Sequence, residues 1–178
     1  MRWLPFQLNP DIPEGGIPRE EYVARKFGAR GKGVNERVVM AGRQVGIPFA
    51  YEKMKVQPNT LNTHRLMHFA GRAGRQDELA EELFRAHFTE GAVLAELETL
   101  ADIAERAGLD RKAAADYLAG DEDKGLVEQA DVEARSAGIG GVPFFIFNRK
   151  IGLSGAQDPE TLLEAMEQAL AESSTGNE

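Results

Sequence analysis

The sequence predicts an α/β fold: a strand opens the chain, a long all-helical block fills its middle, and a strand hairpin with a closing helix ends it. Three observations carry that prediction. Residues 2–8 (RWLPFQL) and 144–147 (FFIF) are short β-prone runs bounded by turn residues. Between them, apolar residues recur at three- and four-residue intervals, the period of helices that bury one face. With 178 residues, 42% of them hydrophobic and 28% charged, the chain can bury a core as one domain over 1–178.

The elements follow in order. Trp3, Phe6 and Leu8 mark a strand over 2–8, ended by the turn signal Asn9-Pro10. After the DIPEGGIP loop, Pro18 suits a first helical position, with Glu20 and Glu21 near the positive end of the helix dipole. That helix covers 18–27 and stops at Gly28. A second follows ARGKG, with Val34, Val38 and Val45 on one side, and ends near Gly46-Ile47-Pro48; Phe49 to Tyr51 read as extended. Asn59 or Thr60 caps the first helix of an insertion spanning about 55–137. Leu79, Leu83, Phe84 and Phe88 stripe the next, and Leu94, Leu97, Leu100 and Ile103 the one after, closing at Gly108. Asp110 caps a helix to Leu118, and another covers 122–137. The unit over 140–172 then begins. Phe144–Phe147, wholly apolar, reads as a central strand covered on both faces. Asn148-Arg149-Lys150 forms a turn, Ile151-Gly152-Leu153 a second strand, and Asp158-Pro159-Glu160 starts the last helix, with Leu162, Leu163, Met166 and Leu170 as its buried face. The polar tail SSTGNE is expected to fray.

Charge narrows the function classes. The net charge of −8 disfavours a general nucleic-acid binder, which needs a basic face to neutralise phosphates. Residues 1–45 are mildly basic, through Arg25, Lys26, Arg30, Lys32 and Arg37 among others, and read as the solvated faces of two helices. MRWLPFQLNP lacks the apolar run and cleavage site of a signal peptide, and no stretch approaches the ~20 apolar residues of a membrane helix. The expected compartment is the cytoplasm. With no cysteine, the chain holds no disulfide and no thiolate metal site.

The stretch most suggestive of chemistry is GIGGVPFFIF, residues 138–147. Three glycines (Gly138, Gly140, Gly141) permit close backbone approach, and Val142-Pro143 leads straight into an apolar strand. On the residues alone, Pro143 is a strand-opening proline with an ordinary trans bond. GIGGVPFFIF, followed by GLSGAQ and the Asp-Pro-Glu helix start, resembles the C-terminal half of thioredoxin-fold proteins of the DsbA family. WLPFQLNPDIP, NTHRLMHFAGRAG and ELAEELFRAHFTEG extend the resemblance, in order, over nearly the whole chain, and it is nearest to the FrnE-like branch.

The resemblance implies a thioredoxin-like fold with a large all-helical insertion and thiol–disulfide exchange as the activity. It implies a cis bond before Pro143, with Gly141, Val142 and Pro143 forming the surface that binds a thiol- or disulfide-containing protein or peptide. The family's Cys-x-x-Cys motif sits between its first strand and the strand similar to RWLPFQL. Here the N-terminal β-α unit that would carry the motif is missing, so no residue of this chain is expected to be catalytic and no cofactor is expected. The expectation is a chain cut short at its start, or strands 2–8 and 143–148 pairing directly, or a second copy filling the gap as a homodimer. Two alternatives remain. One is a glutathione-dependent enzyme resembling 2-hydroxychromene-2-carboxylate isomerase, with glutathione as cofactor. The other is a non-catalytic peptide-binding module.

Other patterns have plainer readings. His64 and His68 stand at metal-ligand spacing, but Arg65 takes the place of a zinc-protease glutamate and His87 lies on another helix, so ordinary helix histidines are expected and no metal. GARGKG lacks the spacing of a phosphate loop and reads as a helix-to-helix turn. Glu81-Glu82 and Asp121 to Asp123 read as solvated surface.

Overall fold

The computed structural model describes residues 1–28, 33 and 35–174. Most of the GARGKG turn, Val34 and the end of the polar tail lie outside the described residues. The elements run β1 (Ile17–Pro18), α1 (Arg19–Phe27), α2 (Glu36–Gln44), β2 (Val56–Gln57), α3 (Leu61–Arg72), α4 (Gln76–Arg85), α5 (Leu97–Arg106), α6 (Arg111–Ala119), α7 (Lys124–Ser136), β3 (Phe144–Phe147), β4 (Ile151–Ser154) and α8 (Pro159–Ser174). They fall into two compact units, Met1–Asp131 and Val132–Glu178, with the division inside α7.

In the first unit the predicted stripes make the core. Leu66, Leu79, Leu83, Leu94, Leu100, Ile103 and Leu118 are buried together where α3, α4, α5 and α6 pack. Phe84 departs from its predicted stripe and is 51% exposed, because Leu79, Leu83 and Ala86 fill the buried face and the next position turns outward. After Arg85 the helix widens into a π-turn, Ala86–Glu90, closed by Gly91 in the left-handed region. Two polar side chains satisfy backbone N–H groups at helix starts. Asn59 Oδ1 accepts from Leu61 N at 2.8 Å, and Asp110 Oδ1 from Ala113 N at 2.7 Å.

Residues 2–8 do not form the expected strand. No neighbouring strand takes up their backbone groups among the described residues, and side chains of the helices do so instead. Gln76 accepts from Trp3 N at 3.2 Å, and its amide faces the Trp3 carbonyl at 3.4 Å and the Met67 carbonyl at 3.0 Å. Asp131 Oδ1 accepts from Gln7 N at 2.7 Å, and Trp3 Nε1 donates to Asp77 at 2.6 Å. Direct pairing of strand 2–8 with another strand is therefore not found. The short antiparallel pair this unit does have, β1 with β2, was not foreseen: Ile17 faces Gln57 and Pro18 faces Val56.

One buried cation fastens the helices. Arg65, only 2% exposed, points its guanidinium at the end of α6. It donates to the carbonyls of Tyr117 (3.0 Å), Leu118 (3.2 Å), Gly120 (2.6 Å) and Glu122 (2.9 Å), and to Asn62 Oδ1 (2.8 Å). The Tyr117, Leu118 and Gly120 carbonyls belong to the C-terminus of α6, where a cation is favoured and the acceptors have no helical partner, and that of Glu122 to the turn that follows. The acidic run beside it is only in part the solvated surface expected: Asp121 and Glu122 are exposed, whereas Asp123 is largely covered. Arg72 pairs with Glu122 and Asp123, Tyr117 Oη lies 3.0 Å from Asp123 Oδ2, and His68 Nε2 is 3.7 Å from the same oxygen. Glu82 is likewise drawn in by Arg85 and Arg106.

The second unit contains the ββα end of the chain. β3 and β4 pair antiparallel, Phe144 opposite Ser154 and Phe147 opposite Ile151, across a turn where Asn148 and Arg149 have positive φ. β3 is not the central, doubly covered strand expected. It pairs with β4 alone among the described residues, and its side chains are half-buried or exposed. α8 buries Ala165 and Ala169, while Leu163, Met166 and Leu170 lie open at 56%, 45% and 63% exposure. Small side chains let the helix lie close on β3, and the larger apolar residues are left on a neighbouring face.

Replacing Arg65 by Gln is expected to lower the stability of the chain by about 3 kcal/mol, since it strands several buried carbonyls that a charged donor had satisfied. The urea midpoint would read the loss; an R65Q midpoint equal to that of the parent would refute it.

Candidate functional site

The stretch from Gly138 to Phe147 begins by ending a helix. Gly138 N donates to Arg135 O at 2.9 Å and Ile139 N to Ala134 O at 3.1 Å, the double bond of a Schellman cap. Its φ of +86° is the left-handed conformation that cap requires, and glycine adopts it without cost. Gly140 and Gly141 differ from expectation: no atom lies within 4 Å of where a Cβ would stand, so nothing in the chain itself crowds them. The space over these two residues is open.

The Val142–Pro143 peptide bond is cis. Pro143 then enters the hairpin, its carbonyl accepting from Gly155 N at 2.8 Å. At the far end, the Phe147 carbonyl accepts from Lys150 N at 3.0 Å. These two bonds and the register fix the alternation of the ladder. The backbone groups of Pro143, Phe145 and Phe147 turn toward β4, and those of Phe144 and Ile146 turn away from it. One edge of β3 is thus unpaired among the described residues. Val142, at the head of that edge, also has no backbone hydrogen bond among the described residues, and its side chain and that of Ile146 are each 48% exposed.

The structure therefore brings Gly141, Val142 and Pro143 together as expected of neighbours, at one end of an open strand edge. Sequence reasoning missed that Phe144 and Ile146 continue this edge, and that the Leu163, Met166 and Leu170 stripe is uncovered. An apolar run looks the same in a central strand and in an edge strand awaiting cover. The Gly155–Pro143 and Lys150–Phe147 bonds, with the register, tell which way each peptide faces.

The histidines do not converge. The half-buried His64 hydrogen-bonds the backbone of Phe6 and faces Asp131, whereas His68 faces Asp123. His87 is buried at the π-turn, where its ring faces the backbone of Ala92 and its Nδ1 has no hydrogen-bond partner among the described residues. Among the described residues, no three His, Asp or Glu side chains could share a metal. Burial pushes the imidazoles of His64 and His87 below their ordinary pKa; the Phe6 and Asp131 contacts oppose the shift at His64, and Arg19 adds to it at His87. The Tyr117 hydroxyl is pushed up, first by burial and then by Asp123. Among the described residues, no helix is long and apolar enough to cross a membrane.

Comparison with known proteins agrees with this geometry. The profile of the DSBA-like thioredoxin domain family matches residues 1–167. A probable DsbA oxidoreductase from Streptomyces coelicolor superposes with a TM-score of 0.84 at 27% identity, over 94% of this chain and 74% of that one. A candidate protein disulfide isomerase from Nitrosomonas europaea superposes with a TM-score of 0.61 at 14% identity, over 89% of each chain, which shows a shared fold. Among curated proteins, none matches. The fold is thus thioredoxin-like, mixed α/β and mostly helical.

His64 and His87, both of whose imidazoles are desolvated, set an acid limit on stability. Their folded pKa values lie below the ordinary value of about 6.5, so the unfolded chain takes up protons first as pH falls. Stability is full above about pH 6.5 and is lost progressively below it, toward the folded values. The urea midpoint should fall from about pH 7 to pH 5.5, and less steeply in an H64Q/H87Q double variant. Identical slopes in the two proteins would refute the assignment.

Proposed function

We propose that this chain, which belongs to the family of DSBA-like thioredoxin domains, docks the extended backbone of a thiol- or disulfide-bearing protein or peptide at Val142. The carrying observation is the open edge of β3, which begins at Val142 beside the cis Pro143 and continues through Phe144 and Ile146. An edge with unspent N–H and C=O groups accepts an added strand, and main-chain bonds then supply affinity with little regard for sequence. The open space over Gly140 and Gly141 supports close approach of that strand.

Thiol–disulfide exchange is the chemistry such docking would serve, and the likeness to the Streptomyces oxidoreductase supports it. The LNP turn and the SGAQ hairpin support the FrnE-like branch in particular. Exchange requires a thiolate that attacks one sulfur of a disulfide and displaces the other. These 178 residues contain no cysteine, so the attacking thiolate is supplied from outside them, and the chain's own part is to hold the substrate backbone.

The purified chain is accordingly expected to give no dithiol-dependent insulin reduction above the uncatalysed rate, while binding an extended cysteine-containing peptide in fluorescence polarisation. Ile146→Pro removes an N–H that points to the open edge and leaves the bonds to β4 in place, so it should weaken that binding at least about tenfold with the fold intact. Turnover by the chain, or an I146P variant that binds as well as the parent, would overturn the reading. Retention on immobilised glutathione without peptide binding would replace it with the glutathione-dependent alternative.

A further inference from the structure

We infer that a cleft in the first unit, between the end of α2 and the π-turn, binds a small organic monoanion that carries an apolar body. The cleft has a volume of about 460 Å³, and Arg43, Pro48, Phe49, Glu52, Lys53 and Thr89 line it. That size suits a small ligand, and the lining sets three apolar residues, Pro48, Phe49 and Ala50, beside four polar or charged ones. The inference is independent of the β3 edge, which belongs to the other unit.

Charge is the first argument. In a chain of net charge −8, most arginines of the helical block are held by carboxylates: Arg72 by Glu122 and Asp123, Arg75 by Glu78, Arg106 by Glu82 and Glu90, Arg111 by Glu98 and Asp102. The Arg43 guanidinium has no ion-pair or hydrogen-bond partner among the described residues. Lys53 makes one bond, from Nζ to the Thr89 carbonyl oxygen at 3.3 Å, which keeps two of its three donors available. A planar guanidinium and an ammonium on one cleft match a carboxylate or sulfonate. Glu52 on the same lining disfavours a second negative charge and selects a monoanion.

Construction is the second argument. The cleft is not a gap between loosely placed loops. Ala50 N donates to Phe88 O at 2.8 Å and ties its floor to the π-turn. Phe49, Tyr51 and Phe88 pack ring on ring, with centroids 5.6, 5.9 and 6.1 Å apart. Two positions tolerate no Cβ. At Gly42 it would stand 2.5 Å from the Phe49 ring, and at Gly91, where φ is +77°, it would stand 2.5 Å from Lys53 Cβ. The first lets α2 lie against the ring, and the second lets the π-turn close on Lys53. The π-turn itself is a costly local widening of a kind that recurs at functional sites.

The test is titration of the full chain with 2-naphthoate, followed by calorimetry, beside the uncharged 2-naphthalenemethanol. One saturable site is expected for the anion and none for the alcohol. R43Q and K53Q should each weaken binding about tenfold, and E52Q should strengthen it about twofold, as loss of a charge-assisted contact or of a like charge requires. All three side chains are exposed, so thermal midpoints equal to the parent's would show that a loss of binding is a loss of the site. Absence of saturable binding, equal binding of the alcohol, or affinity unmoved by R43Q and K53Q would each overturn the inference; the last would place the ring on another surface, such as the α8 stripe.

Discussion

The guanidinium of Arg65 organises the helical unit. Buried cations are costly unless every donor is used, and this one spends its donors on the carbonyls where α6 ends and on Glu122 and Asn62. Because those carbonyls have no partner of their own, α6 can stop in the interior only if something like Arg65 stops it. The Tyr117 ring lies 5.1 Å from the guanidinium and 5.0 Å from Phe69, so the same contact seats α6 on α3. Asp123 and Arg72 close the network from outside, which is why an acidic run that reads as free surface is partly covered.

The same economy of backbone groups explains the N-terminal segment. An extended chain must satisfy its N–H and C=O groups, and a ladder is the usual means. Here Gln76, Asp131 and His64 do it with side chains, at Trp3, Gln7 and Phe6 respectively. The segment's burial does not alternate as a strand's would: the adjacent Phe6 and Gln7 are both buried, and Leu4 and Leu8 are exposed. β3 shows the opposite case: it has the residues of a covered strand, but one of its edges is unpaired among the described residues, and the flanking α8 stripe is exposed.

Much of the helical unit was legible in the sequence, because helix formation is local. The period of Leu79, Leu83, Leu100 and Ile103, the cap at Asp110 and the stop at Gly108 each depend on neighbours within one or two turns. The π-turn is not legible in the sequence, since its extra residue shifts the phase of the stripe without changing its composition. In the site, Gly141, Val142 and Pro143 were legible from the glycine-proline spacing and the family likeness. The roles of Phe144 and Ile146 were not, because the facing of a peptide depends on a partner strand distant in sequence.

The sequence by itself determined the order of helices, the hairpin, the family and the lack of any thiol, all properties carried by residue type or short-range spacing. Only the tertiary structure decided that residues 2–8 are held by side chains, that Arg65 is an interior cap, and that β3 offers an edge. Each of these depends on which backbone groups find partners far along the chain. In a heteropolymer whose every residue carries the same donor and acceptor, that pairing is written in space and not in composition.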